Sequence, residues 1–513
     1  MPPLPAEGPR PPPAGRRRGA VALLVGGWAS LLLLVVQGLV LVPLYLRHLG
    51  TGTYGAWTAS GDVLGWLSVL QMGVAGVGTQ RMAAAHGRGD DDGVAAWYGT
   101  GLLVQAALAA VLFAAALLLS PFVPRWVGAG PNVPLAGAFA VAGAATALGL
   151  MGDVAATLAL ALQRTVFLSV AGVAAGVAGI AATVVLLLDG WGVWALALGM
   201  LARTGLQLLA TAAHAVWVLR HTLRMPARVR PAVARELRGL SGAVLLTLVG
   251  NAAAGRSDAV LVALFFGPRA VAAYVLTRRA ADLISMFLAR LGGAVYPGFA
   301  HLAGSGEHAR AAAVLGQVAR AYFWMAGPAV ALYVALNRSF VTLWVGPGQF
   351  VGVGITLLAG LNVLVVGWAA LVLYLNGAAG NIEGNGRVIF AEAAARIGVA
   401  LLLLRWWGLP GLPLAGVVTA SVSSWVALRG LAVRLHQSSI ALPRGPVALA
   451  AALLALGAAA GRVRWGHSWA QFTAWGLAFA LFAALAVLAS APEARRAAAG
   501  VWAATTRRRA VAA

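Results

Sequence analysis

Charged side chains interrupt the long apolar stretches of this sequence. A charge at the centre of a lipid bilayer costs roughly 2.5 to 3.5 kcal/mol, so such residues usually face a cavity or a charged partner. We therefore take the charges within apolar stretches as the candidates for chemistry. They are Asp62, Asp153, Arg203, Arg256, Asp258, Arg278, Arg279, Asp282, Arg290, Arg320, Glu392 and Arg396.

Six of the seven arginines in this set lie in the second half of the chain. The planar guanidinium group suits phosphate and carboxylate better than any other side chain. We expect a water-filled cavity for an anionic cargo, with substrate-binding cations drawn from Arg256, Arg279, Arg290, Arg278 and Arg320. For Arg290 and Arg320 an alternative stays open, namely that they extend to the lipid headgroups.

Helical spacing relates several of these charges to one another. Arg279, Asp282, Met286 and Arg290 are three and then four residues apart, which places them on one face of a helix. The spacing of four between Arg278 and Asp282 also allows them to neutralise each other, as it does for Glu392 and Arg396. As candidates for coupling to an ion gradient we name the carboxylates Asp62, Asp153, Asp258 and Asp282.

The composition requires a membrane around the elements that position these charges. The chain is 61% hydrophobic and 10% charged, with a mean hydropathy of +0.86, whereas a soluble domain is roughly a quarter charged. About fourteen apolar runs are long enough to cross a bilayer, which takes roughly 20 residues each. The first two fall near 20–46 and 54–80, and the seventh near 240–266. We expect an all-α integral membrane protein.

The basic residues fix the expected orientation. All 37 are arginine; 23 fall in loops and tails on the side of the N-terminus, 7 in loops on the other side and 7 in spans. Because positive charge concentrates on the cytoplasmic side, both termini are expected in the cytoplasm and the protein in the cell (cytoplasmic) membrane. The basic tails indicate contact with anionic membrane lipids rather than nucleic acid.

An internal repeat divides the chain into similar halves. A shift of 220 residues aligns Leu44 with Leu264 and Tyr54 with Tyr274, and a shift of 218 aligns residues 120–128 with 338–346. Six spans per half predict a parallel pseudo-twofold repeat. We expect basic tails at 1–19 and 491–513, six-helix bundles at 20–219 and 240–436, a basic cytoplasmic linker at 220–239 and two further helices at 437–490.

Several enzyme motifs lack the neighbouring structure or the residues that their chemistry requires. Gly50, Gly52 and Gly55 match a dinucleotide-binding pattern, but they lie between two spans without the strand that such a site needs. A Walker A loop needs lysine, and the chain has none. Cysteine is absent too, which excludes disulfides and thiolate metal sites. We expect no enzyme activity, no cofactor and no metal.

The stretch from Leu44 to Trp57, with Leu70 to Gly76 and then a basic loop, resembles the opening of polysaccharide flippases of the Wzx type. Arg256-Ser-Asp258, with Gly267 to Tyr274 leading to Arg278 and Arg279, agrees with this resemblance. It covers about residues 20–435. The resemblance implies two six-helix bundles around a V-shaped cavity, in which Arg256, Arg279 and Arg290 would engage the pyrophosphate of a polyprenyl-linked glycan.

The expected function is therefore movement of a lipid-linked oligosaccharide across the membrane for surface polysaccharide assembly. Expected partners are the polyprenyl-pyrophosphate-linked glycan, membrane lipids and polysaccharide assembly proteins. Two alternatives stay open: a multidrug or organic-cation antiporter of the same superfamily, and a peptidoglycan-precursor flippase. The short outer loops disfavour a membrane enzyme of glycan assembly. Asp62 and Asp153 keep the first alternative open, because a cation cavity should be acidic.

Overall fold

The computed structural model describes residues 14–71, 73–238 and 242–490, and these contain helices and no strands. The prediction of an all-α membrane protein is confirmed. The chain divides into two compact units, residues 1–241 and 242–513. The predicted tail at 491–513 and residues 1–13 of the predicted tail at 1–19 lie outside the described residues.

The first unit contains eight helices. They are α1 (Ala14–Leu67), α2 (Val74–Gly87), α3 (Asp91–Leu119), α4 (Val123–Trp126), α5 (Leu135–Ala161), α6 (Thr165–Leu188), α7 (Val193–Val218) and α8 (Pro231–Arg238). Helices α5, α6 and α7 pack closely, and α1 packs against α6. The apolar side chains of Phe139, Leu158 and Leu187 are almost completely buried within this unit.

The second unit also contains eight helices. It contains α9 (Gly242–Gly255), α10 (Asp258–Gly304), α11 (His308–Val345), α12 (Val353–Ala378), α13 (Ile382–Trp407), α14 (Gly411–Arg434), α15 (Arg444–Ala460) and α16 (Trp469–Ser490). Its core lies among α10, α11, α12 and α14, where Tyr322, Phe299 and Leu375 are buried. Helices α15 and α16 pack on α11.

Nine helices in the described part of the chain are long and apolar enough to cross a membrane. One of them, Leu245–Gly304, divides at Gly267 into two spans. Helix α1 divides in the same way at Gly50, while α13 carries several charges and α15 has only 17 residues. Counting these segments gives fourteen spans, as expected from the apolar runs.

Two glycines make the sharp turns inside α1 and α10. Gly50 has φ 75° and ψ 161°, and Gly267 has φ 78° and ψ 172°. Only glycine adopts this backbone conformation readily, because a Cβ atom would clash with the backbone. Each glycine interrupts its helix without a separate loop, and across the turn at Gly267 the two limbs of α10 are joined by Arg278 and Asp258.

These turns correct the sequence register of the repeat. Gly50 and Gly267 are 217 residues apart, as are the first residues of α3 and α11, while α5 and α12 begin 218 residues apart. The shift of 220 derived near Tyr54 is therefore three residues too large, because isolated identities such as Leu44 with Leu264 and Tyr54 with Tyr274 arise by chance in two similar apolar segments. In the corrected register the counterpart of Asp62 is Arg279, twelve residues after each glycine turn.

Two predicted spans are interrupted. In the second predicted span, near 54–80, the first helix ends at Leu67, a 3₁₀ turn follows at Ser68–Gln71, and a new helix begins at Val74. The seventh breaks at Arg256 and Ser257, between α9 and α10. Broken spans in transporters place irregular backbone beside cavities, so both interruptions bear on the candidate site.

The predicted linker 220–239 is attached to α3. Asp92 accepts hydrogen bonds from Arg228, at 2.7 Å, and from Arg230. The backbone N–H of Arg228 also donates to the carbonyl of Ala95 at 3.2 Å, and the backbone N–H of Arg230 donates to Thr100 Oγ1 at 2.9 Å. The basic residues of this segment therefore bind the first unit as well as setting the charge of its surface.

The glycine turn predicts a specific effect of substitution. Gly267→Ala forces a Cβ atom into a backbone region that costs about 1 to 3 kcal/mol, although no side chain lies within 4 Å to oppose it. We expect the thermal unfolding midpoint of the purified protein to fall. Gly293→Ala is the matched control, because Gly293 is helical and also surrounded by open space. An equal effect of both substitutions would show that the turn tolerates side chains.

Candidate functional site

Asp258 lies at the centre of a cluster of charged side chains in the second unit. Arg396 Nη2 donates to its two carboxylate oxygens at 3.0 and 3.2 Å. Arg278 Nη1 donates to the same carboxylate and to the hydroxyl oxygen of Tyr274, the latter at 2.7 Å. The side chains of Asp258 and Arg278 are 17% exposed and that of Arg396 is 11% exposed. Two guanidinium groups thus share one largely buried carboxylate.

The glycine turn explains why Arg278 reaches Asp258. Asp258 lies nine residues before Gly267, and Arg278 lies eleven residues after it. With a helical rise of 1.5 Å per residue, the two are about 14 and 17 Å from the turn along antiparallel limbs. The same distance is about half the thickness of the bilayer core, so the cluster lies deep in the membrane-spanning part.

A fourth charged group completes the cluster. Arg278 Nη2 donates to Asp282 Oδ1 at 3.3 Å, and the Asp282 side chain is 48% exposed. The predicted Arg278–Asp282 pair therefore exists, but Arg278 also binds Asp258. Arg396 contacts Asp258 rather than Glu392, its predicted neighbour at four residues. Together two arginines and two aspartates have no net formal charge, so Arg278 belongs to a neutral cluster.

The other predicted cations lie elsewhere. Arg256 is exposed at the break between α9 and α10. Arg279 is half-buried and Arg290 exposed, on the side of α10 opposite its buried residues. Among the described residues none of these three guanidinium groups forms an ion pair, and Arg279 Nε is buried without a hydrogen-bond partner. Arg320 lies half-buried on α11.

The first unit contains a cavity of about 620 Å³ between α1, α5, α6 and α7. Asp153 and Arg203 lie on its walls, together with neutral polar residues. Of the predicted carboxylates only Asp153 lines this cavity, while Asp62 is half-buried in α1. The neutral polar residues were missed by counting charges alone, although they interrupt the same apolar runs: Gln37, Ser68, Thr146, Thr183, Thr204 and Gln207.

The second unit contains a cavity of about 450 Å³ with different chemistry. Its polar lining comes from α9, α10, α12 and α13, and Glu392 is its charged residue. None of the arginines predicted to bind substrate lines either of these two cavities. The polar residues here, most of them neutral, were also missed by counting charges: Thr247, Asn251, Tyr296, Tyr374 and Asn385.

Comparison with known proteins identifies the family. The sequence profile described as "Polysaccharide biosynthesis protein" matches residues 90–348. No curated protein sequence matches the chain significantly.

Solved structures share the fold. A single-substitution mutant of the Vibrio cholerae MATE transporter VcmN is 16% identical over 82% of this chain and 98% of its own, with a TM-score of 0.60. A MOP superfamily transporter from Pyrococcus furiosus, described as having a binding pocket of reverse polarity, is 12% identical over 82% and 95%, with a TM-score of 0.60. An inward-facing MATE transporter is 14% identical over 82% of this chain and 98% of its own, with a TM-score of 0.61.

The Asp258 cluster predicts a large loss of stability on removal of its carboxylate. Asp258→Asn leaves the largely buried guanidinium of Arg396 without its carboxylate and leaves Arg278 with only the exposed Asp282. Breaking a buried pair in this way costs about 3 to 5 kcal/mol. We expect a clear fall in the thermal unfolding midpoint of the purified protein. Asp282→Asn is the control, because its partly exposed pair contributes about 1 kcal/mol or less.

A double substitution tests whether Arg396 acts through Asp258. Asp258→Asn combined with Arg396→Gln removes one carboxylate and one of its cations. We expect a loss smaller than the sum of the two single losses, since residues in one network are not additive. Additive losses would contradict a direct coupling between the two side chains.

Proposed function

Because this chain belongs to the polysaccharide biosynthesis protein family, within the MOP superfamily of membrane transporters, we propose that it is a flippase for a lipid-linked oligosaccharide. It moves a polyprenyl-linked glycan from one membrane leaflet to the other for surface polysaccharide assembly. The observation that carries the proposal is the family match over residues 90–348. The chain acts as a transporter and not as an enzyme.

The arginines of the second unit support an anionic headgroup. Arg256, Arg279 and Arg290 form no ion pair among the described residues, in contrast to Arg278 and Arg396 in the neutral cluster. A guanidinium group that is not held in an ion pair, inside an apolar segment, favours binding of a phosphate. The pyrophosphate of the substrate binds these arginines, while the polyprenyl tail stays in the lipid.

The transport cycle follows from two units with similar folds. In transporters built from repeats, access alternates as one repeat rocks against the other around a binding site. The substrate biases this equilibrium only to the extent that it binds one conformation better than the other. The Asp258 cluster ties both limbs of α10 to α13, so it keeps the second unit rigid during such a movement.

A drug or cation antiporter is the second candidate function. The cavity of the second unit contains a carboxylate, Glu392, beside amides and tyrosines, and this lining suits a cation. The structures of similar fold include MATE transporters. One superfamily member is described as having a pocket of reverse polarity, so the fold accommodates either sign of charge.

The arginine distribution supports a location in the cytoplasmic membrane with both termini inside. The loop at residues 88–90 and the arginine-rich segment 224–230 lie on the cytoplasmic side. The loop at residues 127–134 lies outside.

Transport by reconstituted protein tests the headgroup site. Arg256→Ala and Arg279→Ala each remove one charged hydrogen-bonding group, worth about 1.5 to 3 kcal/mol, so transport at low substrate concentration should fall about tenfold or more. The measurement is quenching by dithionite of a fluorescent polyprenyl-pyrophosphate glycan in proteoliposomes. Arg387→Ala is the control, because Arg387 is largely exposed and paired with Glu383.

The same vesicles separate the two candidate functions. A flippase accelerates exposure of the glycan lipid and leaves ethidium efflux at the background rate. Ethidium efflux driven by an ion gradient, without movement of the glycan lipid, would replace the flippase proposal with the antiporter. Full transport by both arginine variants would remove these residues from the substrate site.

Reporter fusions test the orientation. Alkaline phosphatase, which is active only outside the cytoplasm, should be inactive when fused after Gly89 and active when fused after Gly130. Green fluorescent protein at the same sites should give the opposite result. Active phosphatase at Gly89 would reverse the orientation proposed from the arginines.

A further inference from the structure

The cavity of the first unit differs in charge from a site for a simple ion. Asp153 on α5 and Arg203 on α7 both line it, so its formal charges cancel. It contains no second carboxylate among its lining residues. A volume of about 620 Å³ falls in the range of small-molecule sites and is far larger than an ion cage needs. The cavity therefore favours a neutral organic group.

Its hydroxyl groups offer acceptors rather than donors. Thr146, Thr183 and Thr204 donate their hydroxyl protons to backbone carbonyls one turn earlier, at 2.8, 2.8 and 3.0 Å. Ser68 does the same toward Gly65 at 2.6 Å. Each oxygen retains lone pairs that can still accept. A ligand that fits four such oxygens and a carboxylate must donate several hydrogen bonds, which a phosphate dianion cannot do.

Donors and apolar faces complete the lining. The guanidinium of Arg203 donates only, and the amide of Gln207 both donates and accepts. The rings of Tyr45 and Trp57 also line the cavity, and such rings present flat apolar surfaces. A sugar ring has hydroxyl groups that donate and accept, and C–H faces that pack on aromatic rings. Among neutral organic groups it satisfies this set of partners most fully.

Glycines keep the space open. Gly149, Gly176 and Gly199 line the cavity. A Cβ atom on Gly149 would lie 3.6 Å from Thr204 Cγ2, and one on Gly176 would lie 3.2 Å from Leu33 Cδ1. Side chains at these positions would fill the volume or press on its walls. The cavity thus depends on small residues in three helices, α5, α6 and α7.

We propose that this cavity binds a sugar of the glycan portion of the substrate, with Asp153, Thr204 and Gln207 as hydrogen-bonding partners. The proposal rests on the proposed function, since the sugar belongs to the lipid-linked glycan that the flippase would carry. It also gives Asp153 a role in recognition instead of ion coupling. Selectivity among lipid-linked glycans then arises in the first unit.

A comparison of two kinds of probe tests this assignment. The full-length purified protein is titrated with tritiated geranylgeranyl pyrophosphate, and with the same lipid bearing glucose, galactose or N-acetylglucosamine. We expect wild type to bind at least one sugar-bearing probe about tenfold more tightly than the sugar-free probe, as hydrogen bonds to charged groups allow. Asp153→Asn, and Thr204→Val with Gln207→Leu, should abolish that preference without weakening the sugar-free probe.

Two controls make the result specific. Thr211→Val removes a hydroxyl from the same helix outside the cavity and should keep the preference. Arg279→Ala should weaken all probes by the same factor, because the pyrophosphate is common to them.

The experiment distinguishes failure of the sugar assignment from failure of the flippase proposal. Equal binding of all probes by wild type would overturn the sugar assignment and leave the flippase proposal standing. A preference that persists in both cavity variants would likewise overturn it. Binding of no probe by wild type would remove the proposed function and this inference together.

Discussion

A largely buried carboxylate shared by two guanidinium groups organises the second unit. Asp258 brings together the first limb of α10, the second limb through Arg278, and α13 through Arg396. In an apolar surrounding none of these charges is tolerable alone, so the helices that carry them are stable only in contact. The turn at Gly267 sets the depth at which the limbs meet, and the backbone of a single glycine thereby determines which charges can pair.

The same constraint separates two kinds of arginine that look alike in the sequence. Arg278 and Arg279 are neighbours in an apolar segment, yet Arg278 is fixed in a neutral cluster, whereas Arg279 has no ion pair among the described residues. Consecutive residues on a helix point in directions about 100° apart, and this rotation separates Arg279 from the ion pairs that hold Arg278. The count of arginines is therefore a poor measure of the charge that lines a site.

Much of the fold follows from the sequence, because apolar runs of sufficient length have few alternatives in a bilayer. The paired halves were also detectable, but the register near Tyr54 needed the backbone break at Gly50. The contact of Arg396 with Asp258 joins residues 138 positions apart, and helical periodicity reports only on neighbours within a turn or two. Cavity residues such as Gln207 and Asn251 were overlooked because uncharged polar groups are common in membrane helices and gain meaning only when several converge.

The equivalence of Asp62 and Arg279 has an evolutionary consequence. Two similar halves in one chain are the expected product of gene duplication, and both retain a glycine at the turn twelve residues earlier. The position after that turn has diverged to opposite charge in the two copies. Fusion of the copies into one chain is what permits this divergence, since a homodimer of a single half would carry the same charge twice.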